Sequence, residues 1–178
     1  VQSIRPETDW NLTAGVVHRF DRATVTWDAF YSDIRNRLLS ASIGTQFSQV
    51  NTVGVMPRMH IVGTDLGVTA DVTDHVRFYQ GIAVARSFYD RDFVVDGNVC
   101  PIKGKAQPGY PIVAFVSDLS VNLTSWRFGA TSTEYARQPF SYENDIYTPN
   151  FWQVNAYAQY TLARKDNRPE LTFRFDVN

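Results

Sequence analysis

A chain of 178 residues, 44% hydrophobic and 20% charged, is long enough for one domain with a sizeable core and is composed like a folded protein, not a disordered one. Its 17 basic and 18 acidic residues leave a net charge of -1, so the overall positive field that draws nucleic acid is missing and nucleic acid is excluded as a partner. The single Cys100 excludes an intrachain disulfide, and no run of 18 apolar residues is present to form a membrane helix, although membrane-spanning strands need none.

From the N-terminus, residues 9–20 set Trp10, Leu12, Ala14, Val16 and Phe20 against Asp9, Asn11, Thr13 and Arg19, with His18 the exception on the apolar side. That period of two predicts a strand. A tight turn follows, and residues 23–34 resume the alternation with Ala23, Val25, Trp27, Ala29 and Tyr31 opposite Thr24, Thr26, Asp28 and Ser32. A long connection from about Leu39 to Pro57 leads to a second hairpin. Its strands carry Val62, Leu66, Val68 and Ala70, then Val76, Phe78, Ile82 and Val84, joined by Val-Thr-Asp-His. Residues 90–109, rich in Gly, Pro and Asp, separate it from a third hairpin, residues 110–123 and 126–137. A third long connection ends at Pro149. The last pair is residues 150–162, with Trp152, Val154, Ala156, Ala158, Tyr160 and Leu162 against Gln153, Asn155 and Gln159, and residues 170–178.

Eight strands are counted and helical spacing never persists, so the class is all-β. Links after odd-numbered strands are short and links after even-numbered ones are long, which makes an antiparallel up-and-down meander with every tight turn at one end.

An apolar face on every strand is buried either in a protein core or in hydrocarbon. A soluble barrel would present Lys and Glu on its other face. Here that face is Thr, Asn, Gln, Gly, Asp, Arg and Tyr, and the three lysines, Lys103, Lys105 and Lys165, all lie in connections. Trp10, Trp27, Trp126 and Trp152 fall on the apolar side, expected toward strand ends, as in the aromatic girdles of membrane barrels. Strands of about 10 residues at ~3.3 Å each and tilted near 45° cover ~23 Å, close to the apolar height of such barrels. The reading is a transmembrane β-barrel wall with lipid on its apolar side, short turns in the periplasm and long loops outside.

On these residues the sequence resembles the C-terminal barrel portion of TonB-dependent outer-membrane receptors. The resemblance is carried by IRPETDWNLTAGVVHRF, by WDAFYSDIRNRL and by the segment from Asn51 through Gly54 and Gly63-Thr64-Asp65-Leu66 to Asp90, with LTFRFDVN as a late strand. It covers nearly the whole chain. Family members have about 22 strands around a plugged lumen, so residues 1–178 are expected to be a segment of the barrel domain, with the plug, the energy-coupling box and the other strands absent.

The resemblance implies a cell outer membrane location in a Gram-negative bacterium and uptake of a ferric siderophore or similar scarce ligand. Energy would come from the TonB complex acting through the missing N-terminal part. It implies no enzyme activity, no covalent chemistry and no cofactor. Candidate ligand contacts are Phe47 in the first loop, Tyr89 and Arg91 in the second, and Arg137, Phe140, Tyr142 and Tyr147 in the third. Packing of the loops against one another is the competing role for each.

His18, His60 and His75 are too dispersed for metal-ligand spacing. Asp65 and Asp71 share a face and read as lumen acids balanced by Arg77, without a nucleophile or oxyanion motif beside them. The Asn-Leu-Thr sequons at Asn11 and Asn122 lie inside predicted strands. Two alternatives remain: a free-standing eight-stranded porin or adhesin, which requires the first and last strands to pair, and a soluble β-barrel binder.

Overall fold

The computed structural model describes residues 5–45, 48–95, 98–162 and 171–177. In chain order the strands are β1 (Thr8–Arg19), β2 (Ala23–Arg35), β3 (Leu38–Thr45), β4 (Ser48–Val55), β5 (Met59–Asp71), β6 (Val76–Tyr89), β7 (Phe93–Val95), β8 (Asn98–Cys100), β9 (Val113–Asn122), β10 (Trp126–Tyr135), β11 (Gln138–Pro139), β12 (Tyr147–Thr148), β13 (Phe151–Leu162) and β14 (Leu171–Val177). Eight of them form one sheet in the order β1-β2-β5-β6-β9-β10-β13-β14, each antiparallel to its neighbours. This is the expected all-β meander. Among the described residues β1 and β14 do not pair, so the sheet is open, and the pairing that a free-standing eight-stranded barrel requires is missing.

The three long connections differ from the expectation of plain loops. Each folds into its own ribbon, β3 with β4, β7 with β8 and β11 with β12. Ser, Thr, Gln and Val dominate the first of these stretches, a composition that extends readily but lacks the clean apolar alternation of a buried face.

Short links are closed by local hydrogen bonds. Phe20 N donates to Ala23 O at 2.7 Å and Leu123 N to Trp126 O at 2.8 Å. In the turn between β5 and β6, the Thr73 hydroxyl oxygen accepts from Val76 N at 3.0 Å and His75 N at 3.2 Å, a side chain standing in for a backbone turn.

Register puts the residues in rows across the sheet. One apolar row runs Val16, Trp27, Leu66, Ile82 and Phe115, and another runs Phe128, Ala158 and Phe175. Nothing among the described residues covers this face: Trp152, Val154 and Leu162 are 68%, 45% and 41% exposed. All four tryptophans lie on it, three near strand ends, but Trp27 sits in the body of β2. Gln80 also falls on the apolar face. It accepts a hydrogen bond from the Ser117 hydroxyl at 2.7 Å and donates to Val116 O at 3.2 Å, so its amide is satisfied across the β6–β9 seam.

The opposite face is polar for most of its length. Tyr157 lies over Gly129 of the neighbouring strand, where any Cβ would collide with the ring, and the Arg174 guanidinium stacks on Tyr157 at 4.2 Å from the ring centroid. Arg174 pairs with Asp176 at 2.8 Å, and Arg77 with Asp71 at 2.7 Å as expected. Asp65 instead sits directly opposite Asp28 across the β2–β5 pair.

The hydrophobic cluster found among the described residues is not at the middle of the sheet. Ile34, Met59, Ile61 and Tyr89, on the polar face at its loop end, meet Met56, Phe93, Cys100 and Ile102 from the connections, with Phe30, Tyr110 and Tyr142 against them. The long loops therefore fold inward over one end of the polar face.

Candidate functional site

The inward-folded loops form a cap, and its integrity depends on how the second and third loops are fastened. Asn144 has φ +56°, a left-handed conformation that Asn tolerates better than most residues. From there its side chain clasps the second loop: Ala106 N donates to Asn144 Oδ1 at 2.7 Å, and Asn144 Nδ2 donates to Ala106 O at 2.9 Å. Ser141 completes the turn by donating its hydroxyl to the Asp145 carboxylate while accepting from Asp145 N and Ile146 N at 3.2 Å each. The Ser141 hydroxyl holds the Asp145 carboxyl below its usual range.

Further bonds tie the second loop to the third and to the sheet. Gly109 N donates to Pro139 O at 2.8 Å and Gln107 N to Ser87 Oγ at 2.9 Å, while Lys103 N donates to Asp92 Oδ1 at 2.9 Å within the second loop itself. Beneath the clasp, the Cys100 thiol points to Glu143 Oε1 at 3.8 Å. Burial, then the Glu143 charge, pushes that thiol above the ordinary value, which disfavours the reactive thiolate.

The structure separates the candidate ligand residues. Tyr89 closes β6 inside the cluster at 2% exposure, and its hydroxyl has no hydrogen-bond partner among the described residues. Tyr142 packs against the same cluster, and burial raises its phenol above the usual value. Arg137 and Tyr147 are brought together, the guanidinium 4.1 Å from the ring centroid, and Arg137 N donates to Asn150 Oδ1 at 2.8 Å. Phe140 is 69% exposed. Arg91 is exposed, with Nε 3.9 Å from Asp90 Oδ1. Phe47 lies outside the described residues. Sequence reasoning missed Asn144, although the run Ser-Tyr-Glu-Asn-Asp is rich in the residues that build turns.

Below the cap, a shallow depression of about 340 Å³ on the polar face is lined by Thr26, Asp28, Asp65, Gly67, Tyr79 and Gly81 among others. No group of three or more metal-ligating side chains occurs among the described residues. The arrangement offers aromatic, guanidinium and hydroxyl surface for holding a ligand.

A model of the TonB-dependent receptor-like β-barrel matches residues 2–178. The chain belongs to this family. Among solved structures the TonB-dependent barrel fold recurs in the copper transporter OprC, 14% identical over 97% of this chain and 26% of that one, with a TM-score of 0.69. It recurs in the ferric yersiniabactin uptake receptor FyuA from Yersinia pestis, at 13%, 86%, 22% and 0.65, and in the siderophore receptor PiuA from Acinetobacter baumannii, at 14%, 94%, 23% and 0.62. At such identities the likeness speaks for the fold. The chain spans about a quarter of the length of these proteins. No curated protein matches the sequence. TonB-dependent receptors are transporters and receptors, not enzymes, and their barrels are outer-membrane proteins of Gram-negative bacteria.

Proposed function

We propose that residues 1–178 supply part of the barrel wall and three external loops of an outer-membrane active-transport receptor, energised through TonB, for a ferric siderophore or a similar scarce ligand. One observation carries this reading: an open eight-strand meander has an uncovered apolar face on one side, a polar face on the other, and loops folded over the polar face at one end only. Lipid is the environment that suits the first face and an aqueous, plugged lumen the second. The exposed groups of the cap, Arg137, Tyr147, Phe140 and Arg91, are the proposed ligand contacts, while Tyr89 and Tyr142 brace the cap from below.

The test is uptake by cells producing the full-length protein, supplied in turn with a panel of radiolabelled iron chelates. One chelate is expected to enter in a TonB-dependent manner, and Arg137→Ala with Tyr147→Ala to reduce its binding. Uptake of no chelate, or uptake indifferent to loss of TonB, would overturn the proposal.

A further inference from the structure

Three polar head groups converge at the base of the cap from three different connections. Tyr89 ends β6 at the root of the second loop, Tyr142 belongs to the third, and Arg37 stands between β2 and β3 at the root of the first. Both tyrosines touch the hydrophobic cluster, and so does Met56, whose amide donates to Arg37 O at 2.8 Å. Charge ties the three together. Burial raises the Tyr142 phenol, and the Arg37 guanidinium draws it part of the way back. The Tyr89 hydroxyl is acted on by the same two neighbours, Tyr142 and Arg37.

No acid answers them. Of the described residues, no carboxylate acts on either phenol. Glu143, next to Tyr142 in sequence, turns instead to the Cys100 thiol, and the enclosed acid Asp33 is held by Arg35 and Arg58. Tyr89 Oη is left over: the residue is 2% exposed, its oxygen is screened from solvent, and it has no hydrogen-bond partner among the described residues, Tyr142 included. A buried hydroxyl without a partner destabilises a fold and calls for a group that satisfies it. That group has to accept, because the hydroxyl has a proton to give and the guanidinium beside it offers donors alone. It also has to be small, since Ile102, with no exposed surface, and Phe93 close the cluster around Tyr89.

We propose that Tyr89, Tyr142 and Arg37 hold a chloride ion at the base of the cap, where it fastens the root of the first loop to the second and third. The two phenol hydroxyls donate to the ion and the guanidinium balances its charge, so that one compact anion meets one cation in an enclosed place. A bridging water would satisfy the hydroxyls and leave the cation unanswered. The seat lies beneath the exposed groups assigned to the transported ligand, so its failure would leave the proposed function standing.

The full-length protein, dialysed in neutral detergent, is followed by hydrogen exchange in sodium chloride and in sodium gluconate of equal ionic strength. Protection of residues 98–110 is expected to rise several-fold in chloride and to saturate as chloride is titrated, while residues 71–76 at the turn end stay unchanged. Tyr89→Phe keeps the ring and removes only the orphaned hydroxyl. It is expected to abolish the chloride response and to be at least as well protected as the parent in gluconate. R37Q is expected to abolish the response too, and Tyr142→Phe, at a half-buried position, to weaken it several-fold. Crystals grown with bromide in place of chloride are expected to show an anomalous peak within hydrogen-bonding reach of Tyr89 Oη. Equal protection in the two salts, a chloride response that survives in Y89F and R37Q, or an ordered water and no bromide beside Tyr89 would overturn the site.

Discussion

The two ends of the polar face obey the same alternation and reach opposite outcomes. At the loop end Ile34, Met59, Ile61 and Tyr89 are enclosed, because Met56, Phe93, Cys100 and Ile102 come down on them from the connections. At the turn end, beside the short link between β5 and β6, Arg77–Asp71 stands about half exposed, and in the body of the sheet, clear of the loops, Arg174–Asp176 does the same with Tyr157 beneath Arg174. Burial on this face is therefore set by what the loops bring, not by which way a strand residue points. Firm packing is expected at one end and solvated, weakly coupled ion pairs at the other.

The largest way to break the contrast is at the base of the cap. Ile102→Ala, at a position with no exposed surface, is expected to cost about 3 kcal/mol of cap stability. The measurement is faster proteolysis of residues 98–110, with the sheet's hydrogen-exchange protection retained at the turn end. Next comes the comparison of two ion pairs. Asp33→Ala leaves two guanidinium groups without their shared acid and is expected to cost about 2 kcal/mol, discounted for the partial exposure of both arginines. Asp176→Ala, in a half-exposed pair clear of the loops, is expected to fall within about 0.5 kcal/mol of the parent in the same thermal melt.

Asn144→Ala removes both bonds to Ala106 and a side chain suited to positive φ, and about 1 kcal/mol of docking between the second and third loops should be lost. Hydrogen exchange at the Ala106 amide reads it directly. Asn144→Gly, which keeps the backbone freedom, isolates the contribution of the clasp.

The smallest effect is kinetic. Burial and the Glu143 charge raise the Cys100 thiol, so its proton is held more tightly in the fold than in the unfolded chain. The linked stability is present below the unfolded thiol's pKa and is lost as pH rises through the raised folded value. Alkylation by iodoacetamide is accordingly expected to be slow at neutral pH and to accelerate only at a pH above that of a free thiol. Glu143→Gln should move that profile downward, and an unchanged profile would show that burial acts alone.

Most of the wall was legible in the sequence because period-two alternation is a local signal, and each of the eight sheet strands carries it. Asp33 and Gln80 are among the positions where alternation misleads. Gln80 is accommodated by Ser117 and the Val116 carbonyl on the next strand, and Asp33 by two arginines, one of which lies beyond its own strand. The cap was hidden for the same reason. Ile102 reads as one apolar residue in a Gly- and Pro-rich stretch, and only contacts with residues as distant in sequence as Ile34 bury it. Of the ligand candidates, aromatic and Arg identity marked Arg137 and Tyr147, which do meet, yet identity alone did not distinguish them from Tyr89, which the cap encloses.

The bare flanks of the sheet carry a last consequence. The outer margins of β1 and β14 present ladders of amide and carbonyl groups with no mate among the described residues. Such margins are templates for any other extended polypeptide. Produced by itself in the cytoplasm, this chain should stack margin to margin into insoluble fibrous aggregates, and an added strand on each side should be what keeps it as a discrete particle.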